Sequence, residues 1–405
     1  MGGPLQDHFP ELQTKSNDSQ CLSNTVEDAE LTYIVKKWWD MESYGTRITV
    51  DGRSKEDQKA ITILNDKTEF DGERYVVHML WADPEANLPN NYYAALKQFE
   101  SLEKRLQKDP NLRDSYSDTI QKDLELGYIR RISQKELDDT SSKRQWYLPH
   151  HPVLNPNKPG KIRRVCNAAS EYRGTSLKKQ LMIGPDLLQN LLGIIFRFRQ
   201  GEIALSSDIE AMFLQIKVPK NDARCLRFIW RNEESKKLEI MEYTRHIFGA
   251  KSSPTCANFA LHRAATDNAE EFPQASSMVT RNFYVDDFLQ SSDSIEIARN
   301  VKNTMVELLK RGGFTLSKWV SNEPQLCDKI IWDEDESIST LGILWKFKID
   351  TLQLCRGFGK EARNPVTHRQ VLSMASSLFD PMGIAAPFTI RVRLVLRKIW
   401  QQHGK

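Results

Sequence analysis

No apolar run in this 405-residue sequence is long enough to cross a bilayer. The longest, around Leu187 to Phe198, is broken by Gln189, Asn190 and Arg197, and a spanning helix needs about 20 apolar residues. The stretch from Met1 to Gln20 is polar and lacks an apolar core, so no signal peptide is expected. Cysteine is scarce. Cys21, Cys166, Cys225, Cys256, Cys327 and Cys355 are irregularly spaced and form no CxxC pair, which argues against a zinc module or a disulfide scaffold and fits a reducing compartment. A charge excess is missing too. Lys and Arg number 57 against 54 Asp and Glu, a formal net charge of +3, so the overall balance is silent about a polyanionic partner. No internal repeat is found, and no Asp-Thr-Gly or Asp-Ser-Gly triplet marks an aspartic protease.

What is present is an ordinary globular composition, 40% hydrophobic and 27% charged, in a length that suits two or three domains or one domain with lobes. Residues 1–29 read as a flexible polar lead. Beyond Leu31 the chain turns more apolar, with Trp38 and Trp39 adjacent. Periodicity predicts a helix over Asn90 to Leu106, with Leu96, Phe99, Leu102 and Leu106 on one stripe, and a second after Pro110 that carries Tyr116, Ile120 and Leu124 and stops at Gly127. Gln145 to Val165 reads as a hairpin or open loop pair with a basic tip, because two β-prone runs flank several prolines and Gly160. Further expectations are a helix over Pro185 to Phe198 and strands at Ile203–Leu205, Leu226–Trp230 and Leu341–Trp345. A capped helix should start at Ser253-Pro254, with Pro at its first position. A last helix should run from Asp293, as N-cap, to Leu309, ended by Gly312-Gly313. Basic residues gather twice: Lys143, Arg144, Lys158, Lys161, Arg163 and Arg164, then Arg391, Arg393, Arg397 and Lys398. Either cluster suits a phosphate backbone, or a solvated helix face or loop.

The most informative segment is Asn282-Phe-Tyr-Val-Asp-Asp-Phe-Leu289. Two adjacent carboxylates stand in an aromatic and β-branched setting that a strand interior disfavours for Asp and a tight turn tolerates. A hairpin with Asp286 and Asp287 at its tip is therefore predicted. Neighbouring carboxylates repel at neutral pH unless cations neutralise them, and oxygen ligands of this kind suit Mg²⁺. Asp208, at the end of the apolar run Ile203–Leu205, is the candidate third carboxylate, completing a set that would hold two ions for phosphoryl transfer. Asp-Asp pairs are common in solvated loops, Asp138-Asp139 being read as one here. The case therefore rests on order: Asp208, Phe248-Gly-Ala-Lys-Ser-Ser-Pro254, the Asp pair, Gly312-Gly-Phe-Thr-Leu-Ser-Lys318 and Leu341-Gly342.

With those segments in place the sequence resembles the reverse transcriptases of LTR retrotransposons, and among them the BEL/Pao group. The resemblance runs from about residue 31 onward. It is carried by Leu88-Pro-Asn-Asn-Tyr92, Tyr147-Leu-Pro-His-His-Pro-Val153, Gly184-Pro-Asp-Leu-Leu188, Asp208-Ile-Glu-Ala-Met-Phe213, Phe248-Gly249, Ser253-Pro254, Phe283-Tyr-Val-Asp-Asp287, Lys318-Trp319 and Phe379-Asp-Pro-Met-Gly383. It implies that Asp208, Asp286 and Asp287, with the Ile209 carbonyl, hold two Mg²⁺ ions, Mn²⁺ being the alternative. Phe213 would lie under the incoming sugar and exclude a 2′ hydroxyl. Arg163, with Lys161 or Lys158, would take the incoming nucleotide, Phe248 would contact it, and Lys318 would stand as a general acid to the leaving pyrophosphate. Tyr284, Pro254, Arg391, Arg393 and Arg397 would contact nucleic acid, the last three from a basic helix along the duplex. Relatives often have Asp where this sequence has Asn167, a position read as support for the fingers loop.

The implied fold is α+β, a right-hand polymerase with fingers, a palm built on an antiparallel sheet, and a partial thumb. The expected divisions are the lead 1–29, an extension 30–90, fingers and palm 91–345, and 346–405 as a partial thumb and the start of a post-palm Pao segment. The implied partners are an RNA template, a DNA primer or duplex and dNTPs, without a membrane, together with a homodimer or other polyprotein products. The implied location is the cytoplasm, in virus-like particles, or the nucleus. No RNase H or integrase region is recognised, so a polyprotein fragment is expected. The alternatives are an inactive nucleic-acid-binding remnant; an RNA-directed RNA polymerase, which Phe213 opposes; and a peptidase, for which no motif is found.

Overall fold

In the structure, a computed structural model, residues 53–139, 144–154, 162–232, 235–354 and 367–403 are described. The chain divides into two units, Met1–Arg53 and Ser54–Lys405, and the described helices and strands all belong to the second. The expected lead, Trp38, Trp39, Lys143, Lys158 and Lys161 lie outside the described residues.

Helix α1 (Lys55–Lys67) opens on Ser54, whose hydroxyl accepts from the Asp57 N–H. Helices α2 (Tyr92–Gln107) and α3 (Pro110–Glu125) fall where the apolar stripes predict them, burying Phe99, Leu102 and Leu106 on one and Tyr116 and Ile120 on the other. Asp109 caps α3 by accepting from the Leu112 N–H, with Pro110 in the first turn. Strand β1 (Ile129–Arg131) comes after them. The predicted hairpin forms from β2 (His150–Leu154) and β3 (Ile162–Cys166), with His150 opposite Cys166. Next come α4 (Leu191–Phe198), β4 (Ile203–Ile209), β5 (Arg227–Arg231), β6 (Leu238–Tyr243), α5 (Ser253–Asp267), α6 (Pro273–Asn282), β7 (Phe283–Tyr284), β8 (Asp287–Ser292), α7 (Ile295–Arg311) and β9 (Leu316–Ser321). The later elements are β10 (Ile338–Thr340), β11 (Ile343–Lys346), β12 (Thr351–Leu354), α8 (His368–Ala375) and α9 (Ala386–His403).

The sheets are small and their strand pairings antiparallel: β1-β6-β5, β9-β4-β8-β7 and β10-β11-β12. The fold is α+β, as expected. The fingers gather α2, α3, the β2–β3 hairpin and the β1-β6-β5 sheet around one core that includes Trp146, Phe228 and Tyr116. The palm is the four-stranded sheet. Side chains alternate faces along a strand, so Ile203, Leu205, Ile209 and Phe288 meet the helices α5, α6 and α7 in a second core. Ala204 and Leu289 face the other way, onto Phe198, Trp345 and Phe347.

Several boundaries differ from the sequence reading. The helix predicted from Pro185 begins only at Leu191, because the Asn190 side chain accepts from the Gly193 N–H and caps it there. Before it, Asp186 accepts from the Leu188 N–H in a tight turn. The strand expected to end at Leu205 runs on through Asp208 to Ile209, held between β8 and β9. Ser294, not Asp293, caps α7. Helix α5 has Ser253 before Pro254, and Ser252 at its N-cap makes no side-chain cap bond. Leu341 and Gly342, placed in a strand by the sequence, form the two-residue turn between β10 and β11, both with positive φ. Gly342 is required there twice over, since a Cβ would meet the Phe379 ring at 2.7 Å.

Candidate active site

The β7–β8 hairpin sets the two adjacent carboxylates. Tyr284 pairs with Asp287, so Val285 and Asp286 make the turn and Asp287 begins the returning strand. Val285 carries φ +58°, a conformation β-branched residues avoid and one that recurs at functional sites. On the other side of β8, the register places Asp287 opposite Asp208 of β4. Side chains directly opposite one another are about 5 Å apart at Cβ and share a face. Here that face is the one away from α5, α6 and α7, since Asp208 and Ala204, and Asp287 and Leu289, are an even number of residues apart. The Ile209 N–H donates to the Asp286 carbonyl at 2.9 Å, tying the turn to β4. The structure therefore brings Asp208, Asp286, Asp287 and Ile209 together. Asp208 stands inside the strand rather than at its end.

The cluster is electrostatically uncomfortable. Burial first, then the charges of Asp286 and Asp208, push the Asp287 carboxyl up to about 7. Burial is also the largest influence raising Asp286, with Asp208 adding to it, while Lys318 and Arg163 pull it back. Arg163 itself is an exposed residue of β3. Lys318 sits at a bulge in β9 between Ser317 and Val320, with φ +55°, and its ammonium bonds the Asp208 carboxylate. Among the described residues no group of three or more His, Cys, Asp or Glu is gathered closely enough to hold a metal ion. The donor chemistry nevertheless suits a hard cation: carboxylate oxygens only, crowded on one face, with a shortage of positive charge.

A pocket of about 480 Å³ opens beside the carboxylates, lined by Tyr284, Asp286, Asp287, Leu341, Gly342 and Phe379 among others. The Phe213 ring follows Asp208 on a short 3₁₀ turn, is half-buried, and lies 4.6 Å from the Phe248 ring. Phe248 is 54% exposed. Pro254 is exposed in the first turn of α5, and Arg391, Arg393 and Arg397 are exposed on α9. Lys161 lies outside the described residues. Asn167 supports the fingers hairpin locally: its N–H donates to the Pro149 carbonyl and its side chain accepts from the Ala169 N–H.

Two members of the first basic cluster do not face a phosphate path. Arg164 is buried, bonded to Asp123 and the Tyr243 hydroxyl and stacked over the Phe228 ring. Arg144 stacks on Trp81 and lies near Asp222. Alternation along β3 sends Arg163 outward and Arg164 inward, which composition alone does not separate. Sequence reasoning missed the Val285 strain, for which a β-branched residue gives no signal. It also missed the Lys318–Asp208 contact, between residues 110 positions apart. No helix among the described residues is long and apolar enough to cross a membrane.

Residues 155–319 match the family described as reverse transcriptase (RNA-dependent DNA polymerase). Residues 367–405 match the Pao retrotransposon-like RNaseH-like domain. The second match corrects the expectation that no RNase H-related region is recognisable, and it falls within 346–405, the stretch read as a partial thumb and the start of a post-palm Pao segment. No curated protein matches. Among solved structures, the chain is similar to a foamy viral protease–reverse transcriptase dRH with double-stranded DNA, at 14% identity and a TM-score of 0.46, over 89% of this chain and 53% of that one. It is likewise similar to the foamy viral protease–reverse transcriptase with an RNA/DNA hybrid, at 15% and 0.45, over 95% and 44%. The chain thus spans about half the length of these structures. The two family matches, reverse transcriptase over residues 155–319 and Pao retrotransposon over residues 367–405, support the resemblance to a Pao/BEL-type retrotransposon reverse transcriptase.

Proposed function

We propose that the site carries out RNA-directed DNA synthesis, adding dNTPs to a primer 3′ end on an RNA or DNA template. The observation that carries this reading is the register that sets Asp287 opposite Asp208, with Asp286 at the turn and, among the described residues, Lys318 as the one cation in contact with any of the three carboxylates. Asp208, Asp286 and Asp287, with the Ile209 carbonyl, would hold two Mg²⁺ ions. When bound, these would neutralise the crowded carboxylates and polarise phosphate oxygens. The chain's own residues supply position and selection. Arg163, reaching over from the fingers, orients the triphosphate of the incoming nucleotide. Phe213, braced against Phe248, excludes a 2′ hydroxyl. Lys318, bonded to Asp208, would give a proton to the departing pyrophosphate. Tyr284 and Pro254 line the path of the nucleic acid.

Primer extension on an RNA template tests the reading. Asp286→Asn should lower Mg²⁺-dependent extension by about 10³-fold or more, with the fold retained. Extension at the wild-type rate would remove Asp286 from the site. Phe213→Ala should bring ribonucleotide incorporation to within about tenfold of deoxynucleotide incorporation. If the wild type binds a primer–template and never extends it, the chain is a binding remnant rather than a polymerase.

A further inference from the structure

A second pocket, of about 470 Å³, lies away from the turn that carries Asp286. Its walls are the end of α4 (Arg197, with Gln200 just beyond), one stripe of α6 (Gln274, Ser277, Met278 and Arg281) and Gln290 of β8. Two guanidinium groups and four carboxamides, those of Gln200, Gln274, Asn282 and Gln290, line it, and among the described residues no carboxylate does. Elsewhere in the structure arginines usually meet an acid: Arg164 meets Asp123, Arg227 meets Glu242, Arg231 meets Glu103 and Arg311 meets Glu271. Here Arg197 is instead fixed by neutral acceptors. Its Nε donates to the Asn282 side chain at 2.7 Å and its fork bonds the Arg281 carbonyl. Burial and the neighbouring Arg281 both disfavour its charge. A fixed guanidinium with a second, exposed one lining the same pocket, amid carboxamides, is a cradle for an anion.

We propose that this pocket binds a phosphate group, with Arg197 and Arg281 taking its oxygens and the surrounding carboxamides completing the contacts. Phosphate suits it better than a carboxylate because its oxygens can satisfy two guanidinium groups and several amide donors at once. The group has two sources, the backbone of a bound nucleic acid or a free phosphate-bearing small molecule. The pocket also touches the base of the β7–β8 hairpin. The Asn282 amide bonds Gln290 across it, three residues along β8 from Asp287.

The test is titration of the full chain with inorganic phosphate in metal-free buffer, read by calorimetry and by the rise in melting temperature. Arg281 is exposed, so Arg281→Gln should fold normally. It should bind phosphate about tenfold more weakly, the value of one charge-assisted contact, and lose the phosphate-dependent rise in melting temperature. Arg281→Lys should recover part of both. A short single-stranded DNA that displaces phosphate from the wild type, with a salt slope about 0.7 smaller in Arg281→Gln, identifies a backbone phosphate. DNA that fails to displace it identifies a free phosphate compound. Absence of saturable phosphate binding by the wild type, or equal binding by Arg281→Gln, overturns the proposal. Asp286→Asn should leave phosphate binding unchanged, which separates this site from the polymerase reading.

Discussion

The fingers and the palm both bury charge, and they do it in opposite ways. In the fingers Glu242 is 1% exposed, yet its two oxygens are each taken: Arg227 Nε bonds one at 2.8 Å and Arg130 the other at 2.6 Å. In the palm Asp286 and Asp287 are crowded by Asp208, and Lys318 is the one cation in contact with any of the three carboxylates among the described residues. The first arrangement closes its own charge balance and so reads as structure. The second leaves a deficit that the protein alone does not fill, the pattern expected where a cation or substrate is to bind.

The comparison breaks first at Glu242. Glu242→Ala strands the buried Arg227 and leaves Arg130 with Glu136 alone, and should cost about 3–5 kcal/mol of stability, measured by chemical denaturation. A cost below about 1 kcal/mol would mean that the fingers pair is as dispensable as a surface one. The palm should respond with the other sign. Asp287 has its folded-state carboxyl raised from 3.8 to about 7, so the stability tied to its neutral form is complete below pH 4 and is lost as pH climbs through 7. Asp287→Asn lacks that loss. It should be more stable than wild type at pH 8 in metal-free buffer, by about 2–4 kcal/mol, with the gap closing near pH 4. Mg²⁺ at pH 8 should raise the melting temperature of the wild type and not of Asp287→Asn. A variant less stable than wild type at pH 8 would show that the carboxylate is satisfied after all.

The same contrast decides how much of the molecule is legible in its sequence. The palm site is legible because Asp in an apolar, β-branched run breaks a local rule, and local rules are what a sequence displays. Helices α2 and α3 are legible for the converse reason: stripe, cap and Pro all agree. The fingers charge network is not, since Arg227 and Glu242 are unremarkable one at a time and meet only when β5 pairs with β6. Arg163 and Arg164 look alike in a basic cluster, and only the pairing of β3 with β2 decides which turns to solvent. The start of α4 misleads because Pro185 satisfies the rule for a helix start, whereas Asn190 forms the cap that wins. The cradle of Arg197 and Arg281 leaves no trace, because its members come from three elements brought together by packing.

The smallest expected effect sharpens the comparison most. Lys318 is 60% exposed at its side chain and Asp208 25%, so their ion pair is solvent-screened and worth at most about 1 kcal/mol. If Lys318 merely occupies Asp208 until a cation arrives, Lys318→Met should change metal-free stability by less than that. It should also lower the Mg²⁺ concentration that half-stabilises the chain, by up to about fivefold, the factor equivalent to 1 kcal/mol. An unchanged Mg²⁺ midpoint would mean the ammonium does not compete for Asp208. A loss of several kcal/mol would mean that the palm balances its charge as the fingers do, with Lys318 in the part that Arg227 plays for Glu242.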